Sequence, residues 1–157
     1  MSQYTAEVLW RRGEQAFVDN RYSRKYAIKF DGGIEVAGSA SPQVVPPPLS
    51  DLSAVDPEEL LVAALAGCHM LWFLSIAAKR HFRVDRYVDA PTGVLSKNAA
   101  GQFSMTSFTL KPEATFSGDN LPTRAQIDEM HHEAHEKCNI ANSINGEVRC
   151  EPIYPAA

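Results

Sequence analysis

Asp56-Pro57-Glu58-Glu59-Leu60-Leu61-Val62-Ala63-Ala64-Leu65-Ala66-Gly67-Cys68-His69, running on to Lys79-Arg80, is the stretch whose reading decides the fold. Asp56 suits an N-cap, Pro57 suits the first helical position, and Glu58 and Glu59 complement the positive end of the helix dipole. A helix is therefore expected from Pro57 to about Lys79, ending on cations. Leu60–Ala78 is almost wholly apolar and close to the roughly 20 residues that cross a bilayer. Gly67, Cys68 and His69 stand at its centre, where unpaired polar groups in lipid are costly. Its many alanines favour a helix packed on every face inside a protein core.

Upstream, the pattern is that of strands. Ala6–Trp10 alternates, and Lys25–Phe30 and Ile34–Ala37 flank Asp31-Gly32-Gly33, a short-hairpin signal. Ser41–Ser50 carries Pro42 and Pro46 to Pro48, so it is read as a connecting loop; no two of these prolines are three apart, which excludes a PxxP ligand. Downstream, Val84–Leu95 and Phe103–Lys111 are expected to pair as strands across the turn Lys97-Asn98-Ala99-Ala100-Gly101. Thr123 and Gln126 form a capping-box pattern that opens a second helix, with Ile127, Met130, Ala134 and Cys138 at helical spacing. A break is expected near Cys138–Asn139, then a short turn over Ile140–Ile144 and a strand over Glu147–Ile153. Strands, helix, strands, helix, strand is the order of an α+β fold, with helices on largely antiparallel sheet and residues 1–157 as a single domain.

Composition narrows the function. The chain has 157 residues, 45% apolar and 22% charged, an ordinary globular balance able to bury a sizeable core. The net charge is −4 with no basic run, which argues against nucleic acid and against acidic membrane surfaces as partners. Met1–Trp10 lacks a charged segment followed by an apolar one, so a cytoplasmic location is expected. In a reducing compartment three cysteines are metal ligands, catalytic groups or core residues rather than a disulfide framework.

Cys68 is either a small core residue or a nucleophile, and the second role needs a nearby cation or dipole to favour thiolate. His131, His135 and Cys138, at i, i+4 and i+7, would share one face of an uninterrupted helix and could form a transition-metal half-site. They match no standard zinc signature, and histidines at a helix surface or pocket rim are commoner than ligands. Cys150 has no local partner and is expected to be a spectator. Arg21 and Arg24 are surface cations when taken alone, and Glu58 and Glu59 are explained by the helix dipole.

The Val55–His69 segment resembles the central motif of the OsmC/Ohr family, in which an (N/D)PEE-like helix start leads to a cysteine ten residues after its first glutamate. Phe30-Asp31-Gly32-Gly33, Ser39-Ala40-Ser41-Pro42 and Cys138–Ser143 follow in the family's order, so the resemblance spans nearly the whole chain. It implies an OsmC-like α+β fold, with antiparallel sheets around two central helices in an intertwined homodimer. It also implies a peroxidase. Cys68 matches the cysteine that attacks the peroxide and becomes a sulfenic acid, and Cys138 the one that resolves it as a Cys68–Cys138 disulfide.

On the same resemblance the substrate is an organic hydroperoxide, and a dithiol, lipoyl-linked in some relatives, restores the thiols with no cofactor. An arginine stabilises the thiolate and a glutamate orients it; Arg24, with Arg21 as alternative, and Glu58 match these positions. Three departures mark a separate branch: His69 after the nucleophile, Asn139 after Cys138, and Pro46-Pro47-Pro48 before the central helix. The rival reading is a non-enzymatic metal- or ligand-binding protein using Cys68, Cys138 and His131 or His135.

Overall fold

A computed structural model describes residues 1–154, in two compact units, Met1–Leu60 and residues 61 onward. In the first unit the expected hairpin forms within a three-stranded antiparallel sheet, β1 (Ala6–Leu9), β2 (Tyr26–Phe30) and β3 (Glu35–Gly38), in the order β1-β2-β3. The β2–β3 turn closes with Gly33 at φ 84°, a left-handed conformation that glycine adopts without strain. The proline-rich stretch is a loop of turns, as expected, and the Leu49 carbonyl accepts from the Arg24 N–H at 2.8 Å.

The long helix, α1, spans Pro57–Lys79. Its start is more fully capped than the dipole reading required. The Glu59 N–H donates to Asp56 Oδ1 at 2.8 Å while the Asp56 N–H donates to Glu59 Oε2 at 3.1 Å, a reciprocal capping box. Its end is a Schellman arrangement: the Phe82 N–H donates to the Ala77 carbonyl and the His81 N–H to that of Ala78. His81 holds the left-handed position, φ 62°, that glycine usually fills.

In the second unit, residues 83–117 depart from the expected strand pair. Val84–Leu95 is not one strand but two, β4 (Arg83–Asp89) and β5 (Thr92–Lys97), in different sheets. Past Phe103 there are likewise two, β6 (Phe103–Leu110) and β7 (Pro112–Ser117). Pro91 and Pro112 are the physical reason, because neither ring nitrogen can donate to a ladder. The Lys111 N–H instead donates to Asp89 Oδ1 at 2.7 Å, which ties the two break points together. β4 pairs antiparallel with β7, and β5 with β6. The last strand, β8 (Glu147–Cys150), is shorter than Glu147–Ile153 and runs parallel to β6, with Cys150 opposite Leu110.

The second helix, α2 (Arg124–Lys137), begins with the expected Thr123–Gln126 capping box. It ends one residue before Cys138, which is extended at ψ 108°, and a 3₁₀ turn follows at Ala141–Ser143. α1 lies between two clusters. Phe73, Ile76 and Ala77 pack with Phe82, Ala114, Met130 and Ala134 beside the β4–β7 sheet. Leu65 and Ala66 pack with Phe108, Leu110 and Cys138 beside the β5–β6–β8 sheet. Each such large apolar side chain contributes about 1.5–3 kcal/mol when fully buried.

The His81 position yields a test. His81→Gly removes the steric cost of a left-handed β-carbon and keeps the backbone bonds, so it should stabilise the protein by about 1 kcal/mol in denaturant unfolding. A lower unfolding midpoint would show that the His81 side chain contributes more than its strain costs.

Candidate functional site

Cys68 sits midway along α1 and is half-buried, while Cys138 is fully buried just past the end of α2. The fold brings the two cysteines together, with Cys68 packed against the core cluster that holds Cys138. The Ala141 N–H points at Cys138 Sγ at 3.4 Å, one of the free donors of the 3₁₀ turn. Burial, and next the neighbouring Cys68 side chain, push the Cys138 thiol up to about 11. Cys138 is thereby held as a thiol near neutral pH. Two groups far apart in sequence meet because α1 carries one into the core cluster that the chain leaving α2 completes with the other.

One residue on from Cys68 the helix has turned about 100°, and His69 enters a different environment. It is 1% exposed, and its Nε2 lies 3.0 Å from Nδ1 of His131, which is 3% exposed. The His131 ring stacks on Phe73, centroids 4.2 Å apart. Cys150 Sγ is 3.8 Å from His69 Nε2. His69 Nδ1 is buried with no hydrogen-bond partner. Burial lowers His69 to about 4 and His131 to about 3, so both imidazoles are neutral near pH 7. Burial likewise pushes the Cys150 thiol up to about 12.

Cys150 is half-buried, and β8 delivers it beside His69. Two expectations are corrected. His131 is a core residue, whereas His132 is exposed and lies 3.5 Å from Glu136. The half-site of His131, His135 and Cys138, and any set built on Cys68 and Cys138, does not assemble. α2 ends before Cys138, so the helical face assumed for the half-site does not reach it. Among the described residues, the metal-ligating side chains that converge are His69, His131 and Cys150, with donor atoms all within 4.8 Å of one another.

Arg24 and Glu58 belong to the N-terminal unit. The Arg24 guanidinium donates to the Tyr22 and Asn20 carbonyls and to Asn20 Oδ1, and it lies 3.8 Å over the Tyr22 ring. It forms part of the wall of an apolar cleft of about 490 Å³, together with Val8, Trp10, Phe17, Tyr22 and Tyr26. Trp10, Phe17 and Tyr22 touch one another there, with centroids 4.7–5.7 Å apart. Arg21 is exposed, and its N–H donates to Asp19 Oδ1. Glu58 is half-buried in the first turn of α1, where its charge and that of Asp56 add to burial in raising Tyr26.

The frame is that of an α+β protein whose long helix carries Cys68 against the core cluster that holds Cys138. The chain belongs to the OsmC-like protein family, whose model matches residues 50–152. It is similar, at 52% identity and TM-score 0.96, to an OsmC-like protein of unknown function from Vibrio cholerae, with 98% of this chain and 100% of that one covered. The fold is also that of an organic hydroperoxide resistance protein from Legionella pneumophila, at 17% identity and TM-score 0.68, covering 99% and 100% of the two chains. The corresponding protein from Bacillus subtilis shares 21% identity at TM-score 0.63, covering 96% and 98%. No curated protein matches this chain.

The raised thiols set an order of reactivity. With Cys138 at about 11 and Cys150 at about 12, their thiolates are scarce at pH 8 and grow only as the pH approaches those values. Iodoacetamide at pH 8 should therefore label Cys68 first in the folded protein, followed by peptide mass spectrometry. Equal labelling of Cys138 at pH 8 would contradict this order.

Proposed function

We propose that the protein is a thiol-dependent peroxidase that reduces organic hydroperoxides, with Cys68 as nucleophile and Cys138 as resolving thiol. The observation that carries this reading is the packing of Cys68 against the core cluster that holds Cys138, whose thiol burial keeps protonated. The Cys68 thiolate attacks the terminal peroxide oxygen. The O–O bond breaks, the alkoxide takes a proton and leaves as the alcohol, and Cys68 becomes a sulfenic acid. The Cys138 sulfur then displaces water from that sulfenic acid, and the Cys68–Cys138 disulfide forms. A dithiol reductant, itself oxidised to a disulfide, returns both thiols by exchange.

Arg24 is assigned as the cation that stabilises the thiolate, with Glu58 orienting it, on the strength of the family motif. The hydroperoxide substrate class draws support from the names of the Legionella pneumophila and Bacillus subtilis relatives. A homodimer is part of the same reading. α1 is apolar on all sides, yet Ala63, Ala64 and Leu71 are exposed in the single chain, Leu71 at 65%. A second copy covering that face would remove from water the apolar surface that a lone chain leaves wet.

Turnover of cumene hydroperoxide with a dithiol should fall to background in Cys68→Ser. In Cys138→Ser the first turnover should survive while later ones fail through over-oxidation of Cys68, seen as sulfinic acid by mass spectrometry. Wild-type turnover in Cys68→Ser would overturn the assignment. Leu71→Arg should shift the protein from dimer toward monomer in light scattering; a wild type that is already monomeric would remove the dimer from the reading.

A further inference from the structure

We infer that His69, His131 and Cys150 form a zinc site, separate from the Cys68–Cys138 pair, in which three protein ligands leave one coordination position open. The geometry carries this. Tetrahedral zinc, with bonds of about 2.0–2.1 Å to nitrogen and 2.3 Å to sulfur, separates its ligand atoms by roughly 3.3 Å (N to N) and 3.6 Å (N to S). The corresponding separations here are 3.0 Å between His69 Nε2 and His131 Nδ1 and 3.8 Å between His69 Nε2 and Cys150 Sγ. The third edge, His131 to Cys150, is within 4.8 Å. The first two separations lie within about 0.3 Å of the tetrahedral edges.

Hydrogen bonding alone accounts poorly for the cluster. A ring nitrogen has one in-plane direction, bearing either a proton or a lone pair. His69 Nε2 nevertheless faces both the His131 nitrogen and the Cys150 sulfur. A cation among the three satisfies all of them at once. The donor set fits the metal, since imidazole and thiolate together suit Zn²⁺, and the neutral imidazole is the form that ligates. On binding, Cys150 releases its proton to solvent and coordinates as thiolate.

The ligands come from α1, α2 and β8, so the triangle is set by packing rather than by a flexible loop. A cleft of about 300 Å³ reaches His131 and Cys150, and Asp128 and His135 stand on its wall. The fourth position would be taken by water or by an exogenous donor. Phe73 stacks on the His131 ring and holds it in its plane.

Co²⁺ serves as a spectroscopic stand-in. Full-length protein, reduced with a phosphine and stripped of metal, is titrated with Co²⁺ and then with Zn²⁺. One Co²⁺ per chain should bind, giving a thiolate-to-cobalt charge-transfer band and tetrahedral d–d bands, and Zn²⁺ should bleach both. Cys150→Ser should lose the charge-transfer band, whereas Cys68→Ser and Cys138→Ser should keep it. Zn²⁺ should raise the melting temperature of wild type and not of Cys150→Ser. Sub-stoichiometric binding, or a wild-type spectrum without sulfur ligation, would overturn the site even if Cys150→Ser fails to fold. Retention of the band in Cys150→Ser with its loss in Cys68→Ser would move the metal to the other thiols.

Discussion

Everything in the second unit depends on how the apolar helix α1 is covered. A helix this uniformly apolar has no solvent face, so each turn needs a neighbour. The C-terminal turns are covered by the β4–β7 sheet and α2, and the N-terminal turns by β6 and the segment that follows α2. Proline breaks at Pro91 and Pro112 make this double cover possible. They divide what would be one long hairpin into two sheets that address successive lengths of the same helix. The candidate chemistry sits where the two covers meet, at the middle of α1.

Local signals were legible in the sequence and long-range ones were not. Asp56-Pro57 and Thr123–Gln126 mark both helix starts because a cap is chemistry between residues three apart. The β2–β3 hairpin was legible for the same reason. The strand breaks went unread because strand-forming residues continue on both sides of Pro91 and of Lys111-Pro112. Only the cross-strand bond from Lys111 to Asp89, 22 residues away, marks the bend. Cys68 was legible through the family motif around it, and Cys138 through the residues after it.

The histidine cluster had no comparable signal. His69 and His131 are separated by 62 residues, and His69 and Cys150 by 81. The histidine-rich run of α2 drew attention to spacing along one helix, where His131, His135 and Cys138 form a regular series. Burial selects differently: α2 turns Met130, His131 and Ala134 inward, and the helix stops short of Cys138. A signal was present in His69, a polar residue at the centre of an apolar helix, since a polar group in such a place needs a partner. That partner could not be named without knowing that β8 runs parallel to β6 and not back along a hairpin.

Two consecutive residues of α1 thus feed two clusters of different chemistry. The helical turn of about 100° per residue keeps them apart: Cys68 meets the buried thiol of Cys138, and His69 meets a second imidazole and a second thiol. In both clusters burial favours the uncharged form, and in each it leaves one group that only another species can satisfy. On the proposed peroxidase reading, that species is for Cys138 an oxidised Cys68. On the proposed zinc site it is, for His69 and the two groups that face its Nε2, a cation. α1 also joins the clusters mechanically. An ion that locked His69 to α2 and β8 would hold the adjacent Cys68 in place against Cys138, so metal occupancy and thiol geometry share one rigid support.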